Sequence, residues 1–187
     1  DRETSLITLF SHDTPESDDE LVTSASGTAE LSVAAVENDF VAGVYEKLAS
    51  VYDLAFGPAL QPGRIRAVER MNIQAGERVL EVGVGTGINL SLYPRTCQMT
   101  GIDFSSSMLE KARERAAWGG LRQLRLLQMD AADLKFADGS FDIVYAPYLI
   151  SVVPDPVQVA REMSRVCKEG GRIIFLNHFR SPKAVLS

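Results

Sequence analysis

The chain has 187 residues, of which 45% are apolar and 24% charged, and its formal net charge is −6. That size suits one domain with a sizeable core rather than two, and the composition is that of a water-soluble globular protein. No apolar run reaches the roughly 18 to 20 residues of a membrane span, and no basic-then-apolar leader opens the chain, so a cytoplasmic protein is expected. The acidity is uneven. Residues 1–40 hold ten acids against one arginine, net −9, whereas residues 41–187 hold fifteen acids against eighteen bases, net +3. With no basic run interleaved with aromatics and a negative total, nucleic acid is not an expected partner. Cys97 and Cys167 match no metal spacing and read as small buried apolar residues rather than a disulfide.

Residues 1–28 are polar, acidic and small, which predicts a mobile extension ahead of a domain over 29–187. Within it the segment SLITLF, Ser5 to Phe10, is strand-like and expected to lie loose or weakly docked. Phe40, Val41, Val44, Tyr45, Leu48, Val51, Tyr52 and Ala55 recur at three- and four-residue steps, an apolar stripe on an amphipathic helix over about 39–56 that Gly57 and Pro58 stop. A second helix runs through RIRAVERM. ERVLEVG then reads as a buried strand, INLSLYP as a helical turn or more, and QMTGIDF as a second strand. SSSMLEKARERAAW is a helix with a serine cap. LRLLQMD and SFDIVYAP follow as strands, PVQVAREMSRVC as a helix, and GRIIFLNHF as the last strand. This alternation predicts a doubly wound, mostly parallel α/β sheet with helices on both faces.

One loop stands out in that order. VLEVGVGTGINL places Gly83, Gly85 and Gly87 on alternate positions directly after a strand that carries Glu81. Such a loop sits at the carboxyl edge of the sheet and lets backbone approach a ligand closely. A dinucleotide fingerprint, G-x-G-x-x-G, would need a third glycine where Ile88 stands, so it is not met. Instead E-x-G-x-G-x-G is followed by Asp103 at the end of the second sheet strand and Asp130 after the third.

These motifs resemble those of the class I S-adenosylmethionine-dependent methyltransferases, over nearly all of residues 40–180. The resemblance implies a Rossmann-like fold with S-adenosylmethionine as cofactor. It assigns Glu81, Gly83, Gly85, Gly87, Asp103, Phe104, Met108, Asp130, Ala131, Ala146 and Ser151 to cofactor binding. Asp103 would accept the ribose hydroxyls, Asp130 the adenine amino group, and Phe104 and Met108 would flank the adenine. Each has a plainer reading, Asp103 as a helix cap and Met108 as core. No metal is implied. A complete domain of this class closes its sheet with a further antiparallel hairpin that this chain does not show after Phe179, so either the sequence is truncated or another segment covers that edge, SLITLF being strand-like enough to be considered.

The stretches YEKLASVYDLAFG, LEVGVGTG, MLEKARER, MDAADLKFADGSFDIV, APYLISVVPDP and NHF are similar to the soluble bacterial phosphatidylethanolamine N-methyltransferases. Quinone-ring C-methyltransferases share part of this skeleton but usually carry an acid where this chain has Asn177 and His178. The resemblance therefore implies N-methylation of phosphatidylethanolamine through mono- and dimethyl intermediates to phosphatidylcholine, with quinone C-methylation as the alternative and an inactive cofactor- or lipid-binding module as a third reading.

For that chemistry the amine must arrive neutral, since an ammonium has no lone pair, and the expected catalytic set is Tyr45, Tyr148 and His178. His178 either assists deprotonation or only hydrogen-bonds a loop. Tyr45 and Tyr148 would face a headgroup that becomes a quaternary ammonium, Tyr52 would pack or touch the cofactor, and Tyr145 would be buried in the sheet. The phospholipid partner requires peripheral association with the inner face of an anionic membrane. The helix over 39–56 with Lys47, Arg64, Arg66 and Arg70 is the expected contact, or else the stripe packs on the domain.

Overall fold

The computed structural model describes residues 4–11, 60–121 and 123–179. Strand β1 is Thr4–Ser11, and a helix described over 60–70 is α1. They are followed by β2 (Arg78–Val82), a 3-10 turn (Ile88–Leu92) and β3 (Gln98–Asp103). Next come α2 (Ser106–Gly119), β4 (Leu124–Gln128), β5 (Phe141–Pro147), α3 (Pro156–Val166) and β6 (Cys167–Phe179). The sheet order is β1-β6-β5-β2-β3-β4. β2 through β6 are parallel and β1 is antiparallel to β6. The expected amphipathic helix over 39–56, with Tyr45, Lys47 and Tyr52, lies outside the described residues, as do residues 12–28 of the acidic extension.

The strands sort their side chains by pleat. Val79 of β2, Ile143 and Tyr145 of β5 and Ile174 and Leu176 of β6 share one cluster with Ala67, Val68 and Met71 of α1 and Leu109, Ala112 and Ala116 of α2. Leu80 and Val82, Val144 and Ala146, and Ile173 turn to the other face, where Val159, Met163 and Val166 of α3 cover them. All seven residues of β5 are buried and, Asp142 apart, they are apolar or aromatic, as expected of a parallel strand covered on both faces. Each fully buried aliphatic side chain contributes about 1.5–3 kcal/mol. Helix starts follow the local chemistry. The Ser105 side chain accepts from Met108 N–H to open α2, and Asp155 accepts from Gln158 N–H ahead of Pro156 to open α3.

Two expectations change. SLITLF is not loose: β1 pairs along its whole length with β6, from Thr4 opposite Phe179 to Ser11 opposite Arg172. An uncovered β6 would present a row of unpaired N–H and C=O groups, and an antiparallel strand satisfies them. The last strand also starts earlier than its apolar core suggests. Phe141 pairs with Cys167 and Ile143 with Arg172, so the extra residues around Gly170 form an irregular bulge. Beneath it the Asp142 carboxylate accepts from Arg78 N–H at 2.8 Å and pairs with Lys168. The two cysteines are free and buried.

Candidate active site

The chain leaves β2 toward β3 and β4 on one side, then returns to place β5 and β6 on the other, so the strand order reverses between β2 and β5. Ligands of such sheets bind at the carboxyl ends beside that reversal. The glycine loop, Asp103, Tyr148 and the end of β6 all converge on this edge. A cavity of about 520 Å³ lined by residues such as Tyr93, Cys97, Met99 and Leu124 opens instead at the amino ends of β3 and β4. It has no acid in its wall and none of the glycine loop, so the site is placed by converging chemistry and not by cavity volume.

The loop is held from below. Glu81 is 1% exposed, and its two oxygens accept from Asn89 Nδ2 at 2.7 Å and Tyr93 Oη at 2.5 Å. Burial pushes its carboxyl up to about 7, against the opposing pull of these hydrogen bonds and of the Arg64 charge. Glu81 therefore stands under the loop, braced from the 3-10 turn that follows it. Asn89 and Tyr93 escaped the sequence reading. Their only signal is a polar residue inside INLSLYP, eight positions beyond Glu81. From α2, Arg115 Nη1 donates to the Thr86 carbonyl at 3.0 Å and pins the loop from the side.

A pH dependence follows, and its sign is fixed. Between pH 4.5 and 7 the native Glu81 keeps a proton that the unfolded chain has released, so its contribution is full below pH 4.5 and is lost as pH rises through 7. The loss amounts to about 3 kcal/mol. Glu81→Gln keeps the shape without the charge. Denaturation from pH 5 to 8 is expected to show the variant's stability gaining on wild type as pH rises, and parallel profiles would mean that Glu81 does not titrate there.

At the loop itself, Gly85 has φ +55°, and a Cβ there would meet nothing within 4 Å, so open space faces the backbone at this position. Gly85 N–H donates to Asp103 Oδ2 at 2.8 Å, and Ser105 N–H to Asp103 Oδ1 at 2.9 Å. The cap of α2 is Ser105, so Asp103 is not spent on it. Each Asp103 oxygen keeps a second lone pair for a ligand hydroxyl. Burial raises the Asp103 pKa, with the backbone donors opposing. Asp130 stands beside it, because Met129 N–H bonds the Asp103 carbonyl; it is exposed, and its Oδ1 accepts from Ala132 N–H at 2.8 Å. Phe104 is 69% exposed next to the same acids and Met108 is half-buried.

On the other side of the reversal, Tyr148 follows β5 with φ 57°, an uncommon conformation for a non-glycine residue. Its N–H bonds the Leu176 carbonyl at 2.6 Å. This joins the end of β5 to β6 just before Asn177 and His178, the latter opposite Ser5 of β1. The Ser151 hydroxyl donates to Asn177 Oδ1 at 3.3 Å. Tyr145 is fully buried, as expected. Ala131 is partly buried against the α3-side core. The Ala146 side chain is 0% exposed and packs in the α3-side core. One residue does not stand where the sequence suggested. Arg64 does not belong to a surface patch with the exposed Arg66 and Arg70: its Nε and Nη1 are sealed from solvent and its guanidinium lies 5.2 Å from the Tyr148 ring centroid.

The residues present fit S-adenosylmethionine. Backbone open at Gly85, two acids side by side for hydroxyl and amino donors, and a buried acceptor without a partner, Asn89 Oδ1, all face this edge or lie beneath it. When bound, the cofactor supplies a methyl group on a cationic sulfur. Asp103→Ala is expected to weaken its binding by about 1–3 kcal/mol, the scale of lost charge-assisted hydrogen bonds; titration calorimetry giving equal affinities would remove Asp103 from the site.

Known proteins agree with this geometry. A methyltransferase-domain family matches residues 80–175. The chain is 46% identical over 153 residues to a phosphatidylethanolamine N-methyltransferase of Cereibacter sphaeroides, covering 81% of this chain and 74% of that one. It is 36% identical over 135 residues to a demethylmenaquinone methyltransferase of Oceanobacillus iheyensis, covering 70% of this chain and 57% of that one. Its fold matches the solved structure of Haemonchus contortus phosphoethanolamine N-methyltransferase 2 in complex with S-adenosyl-L-methionine, with TM-score 0.65, 24% identity and coverage of 73% and 34%. With its glycine loop, paired acids and parallel sheet, the chain belongs to the S-adenosylmethionine-dependent methyltransferases.

Proposed function

We propose that the chain N-methylates phosphatidylethanolamine at a membrane surface, by way of mono- and dimethyl intermediates. The observation that carries this reading is the 46% identity over 81% of the chain to the Cereibacter sphaeroides phosphatidylethanolamine N-methyltransferase, against 36% over 70% for the quinone-ring relative. The geometry is compatible with an amine substrate. Asn177, where an acid would suit the quinone relatives, is 9% exposed and engaged by Ser151, and it stands next to His178 and across from Tyr148.

In-line displacement asks the protein mainly to align the nitrogen with the transferring carbon and to keep water out. Tyr148 is well placed for alignment, since its backbone is clamped to β6 and its ring stays at the strand end. His178, two residues beyond Leu176 on β6, is the proposed partner of the ammonium proton. Among the described residues no helix is long and apolar enough to cross a membrane, and the exposed Arg66 and Arg70 are proposed to meet anionic headgroups.

The decisive experiment expresses this chain in a host that makes no phosphatidylcholine and extracts the lipids. Methylated phosphatidylethanolamines are expected, and the purified protein should sediment with anionic vesicles and release in 1 M salt, where screening shortens to roughly 3 Å. Methylation of a quinone ring in preference to these lipids would give the function to the alternative. Cofactor binding without any transfer would leave the binding module.

A further inference from the structure

At the strand reversal stands a positive charge, Arg64, that no ion pair neutralises among the described residues. Arg64 rises from α1, and its Nε and Nη1 are sealed from solvent without a hydrogen-bond partner. Its guanidinium carbon lies 5.2 Å from the centre of the Tyr148 ring. The nearby acid, Glu81, feels the Arg64 charge but gives its oxygens to Asn89 and Tyr93. Tyr145 packs in the same cluster as Tyr148, the ring over which Arg64 lies, and its hydroxyl is buried with no partner. Two guanidinium donors and one phenol donor are thus unused in one place.

Such groups are costly to leave unsatisfied. A guanidinium cannot lose its proton to escape burial, and a buried donor without an acceptor forfeits the bond it made in water. A stacked aromatic ring offers the cation a face but accepts none of its in-plane hydrogens. What completes the set is a planar or tetrahedral group of negative oxygens.

We propose that Arg64, with the Tyr145 hydroxyl, is an oxyanion receptor in the methyl-transfer site. Two ligands could bring the oxyanion, the phosphodiester of the substrate or the α-carboxylate of the cofactor. The phosphodiester is favoured by position. Arg64 lies over Tyr148 at the β5–β6 end, two strands from Asp103, and a phosphodiester follows the reacting amine of an ethanolamine headgroup after a two-carbon link. That source rests on the phospholipid reading above, while the receptor itself does not.

The test compares wild type with Arg64→Gln and Arg64→Lys, whose folding is checked by thermal melts. Calorimetry measures glycerophosphoethanolamine against ethanolamine, and S-adenosylmethionine against its decarboxylated analogue. If the phosphodiester is the source, wild type is expected to prefer glycerophosphoethanolamine by tenfold or more. Arg64→Gln should then erase that preference, Arg64→Lys keep part of it, and cofactor affinity stay within about twofold. If the carboxylate is the source, Arg64→Gln weakens S-adenosylmethionine by a similar factor and leaves the decarboxylated analogue unchanged. Wild type that shows neither preference overturns the receptor without any variant, and so does an Arg64→Gln protein that keeps both. A phosphodiester preference without methylation of phosphatidylethanolamine would keep the receptor and remove the proposed substrate. Methylation with neither preference would do the reverse.

Discussion

Turnover on phosphatidylethanolamine is expected to fall by about 10² to 10⁴ when His178 is replaced by alanine, the range lost with a general base, while cofactor affinity stays nearly constant. The expectation comes from position and chemistry. His178 lies on β6 two residues beyond the Leu176 carbonyl that takes Tyr148 N–H, and its backbone is paired with Ser5 of β1. His12, in the acidic leader, is the other imidazole of the chain. Radiolabelled methyl transfer to phosphatidylethanolamine and to its mono- and dimethyl derivatives measures the effect. The first substrate should suffer along with the other two, because each must shed a proton before its nitrogen has a lone pair. Tyr148→Phe separates the aromatic face from the hydroxyl: a wall that binds a cation tolerates the change, and a hydrogen-bonding orienter does not. Full activity in His178→Ala would leave alignment in a dry crevice as the source of rate.

Gly87→Val is expected to have a large effect on the fold itself. Gly87 has φ +78°, and a Cβ there would stand 2.6 Å from Leu90 Cδ1 and 3.1 Å from Ala112 Cα. Leu90 Cδ1 is the end of a flexible side chain that can swing aside at some cost, but Ala112 Cα is backbone of α2 and has nowhere to go. A left-handed conformation costs an L-residue roughly 1–2 kcal/mol and overpacking about 1–3 kcal/mol more, so a loss of about 2–5 kcal/mol is expected. At about 2–4 °C per kcal/mol for a chain of this size, the melting temperature should drop by roughly 4–20 °C. A calorimetric scan within about 2 °C of wild type would mean that the loop and α2 can separate, and that the close approach of α2 to the glycine loop is not what requires glycine here. Cofactor affinity should fall with it, because the same loop frames the opening at Gly85.

How much of this was readable from the residues differs from element to element. β5 and α3 were legible because their signals are local: the apolar run from Ile143 to Pro147 suits a strand inside a sheet covered on both faces, and Asp155 followed by Pro156 is a helix-start signal. The glycine loop was legible for the same reason, since alternate glycines after a strand constrain backbone within a few residues. Asp103 was placed correctly at the tip of β3 because strand length sets it there.

The sequence by itself determined, then, the alternation of strands and helices, the sheet edge that carries the chemistry, and the kind of residue found along it. Only the tertiary structure decided what distant segments do to one another. SLITLF becomes an edge strand because β6, more than 160 residues later, has backbone groups to satisfy. Ala146 and Tyr145 part company because adjacent residues in a strand face opposite helices. Glu81 is a buried, braced acid and Arg64 a half-buried cation stacked on Tyr148 because their surroundings come from the 3-10 turn and from the end of β5. Charge state and burial depend on neighbours brought together across the sheet, and periodicity along a chain holds no record of them.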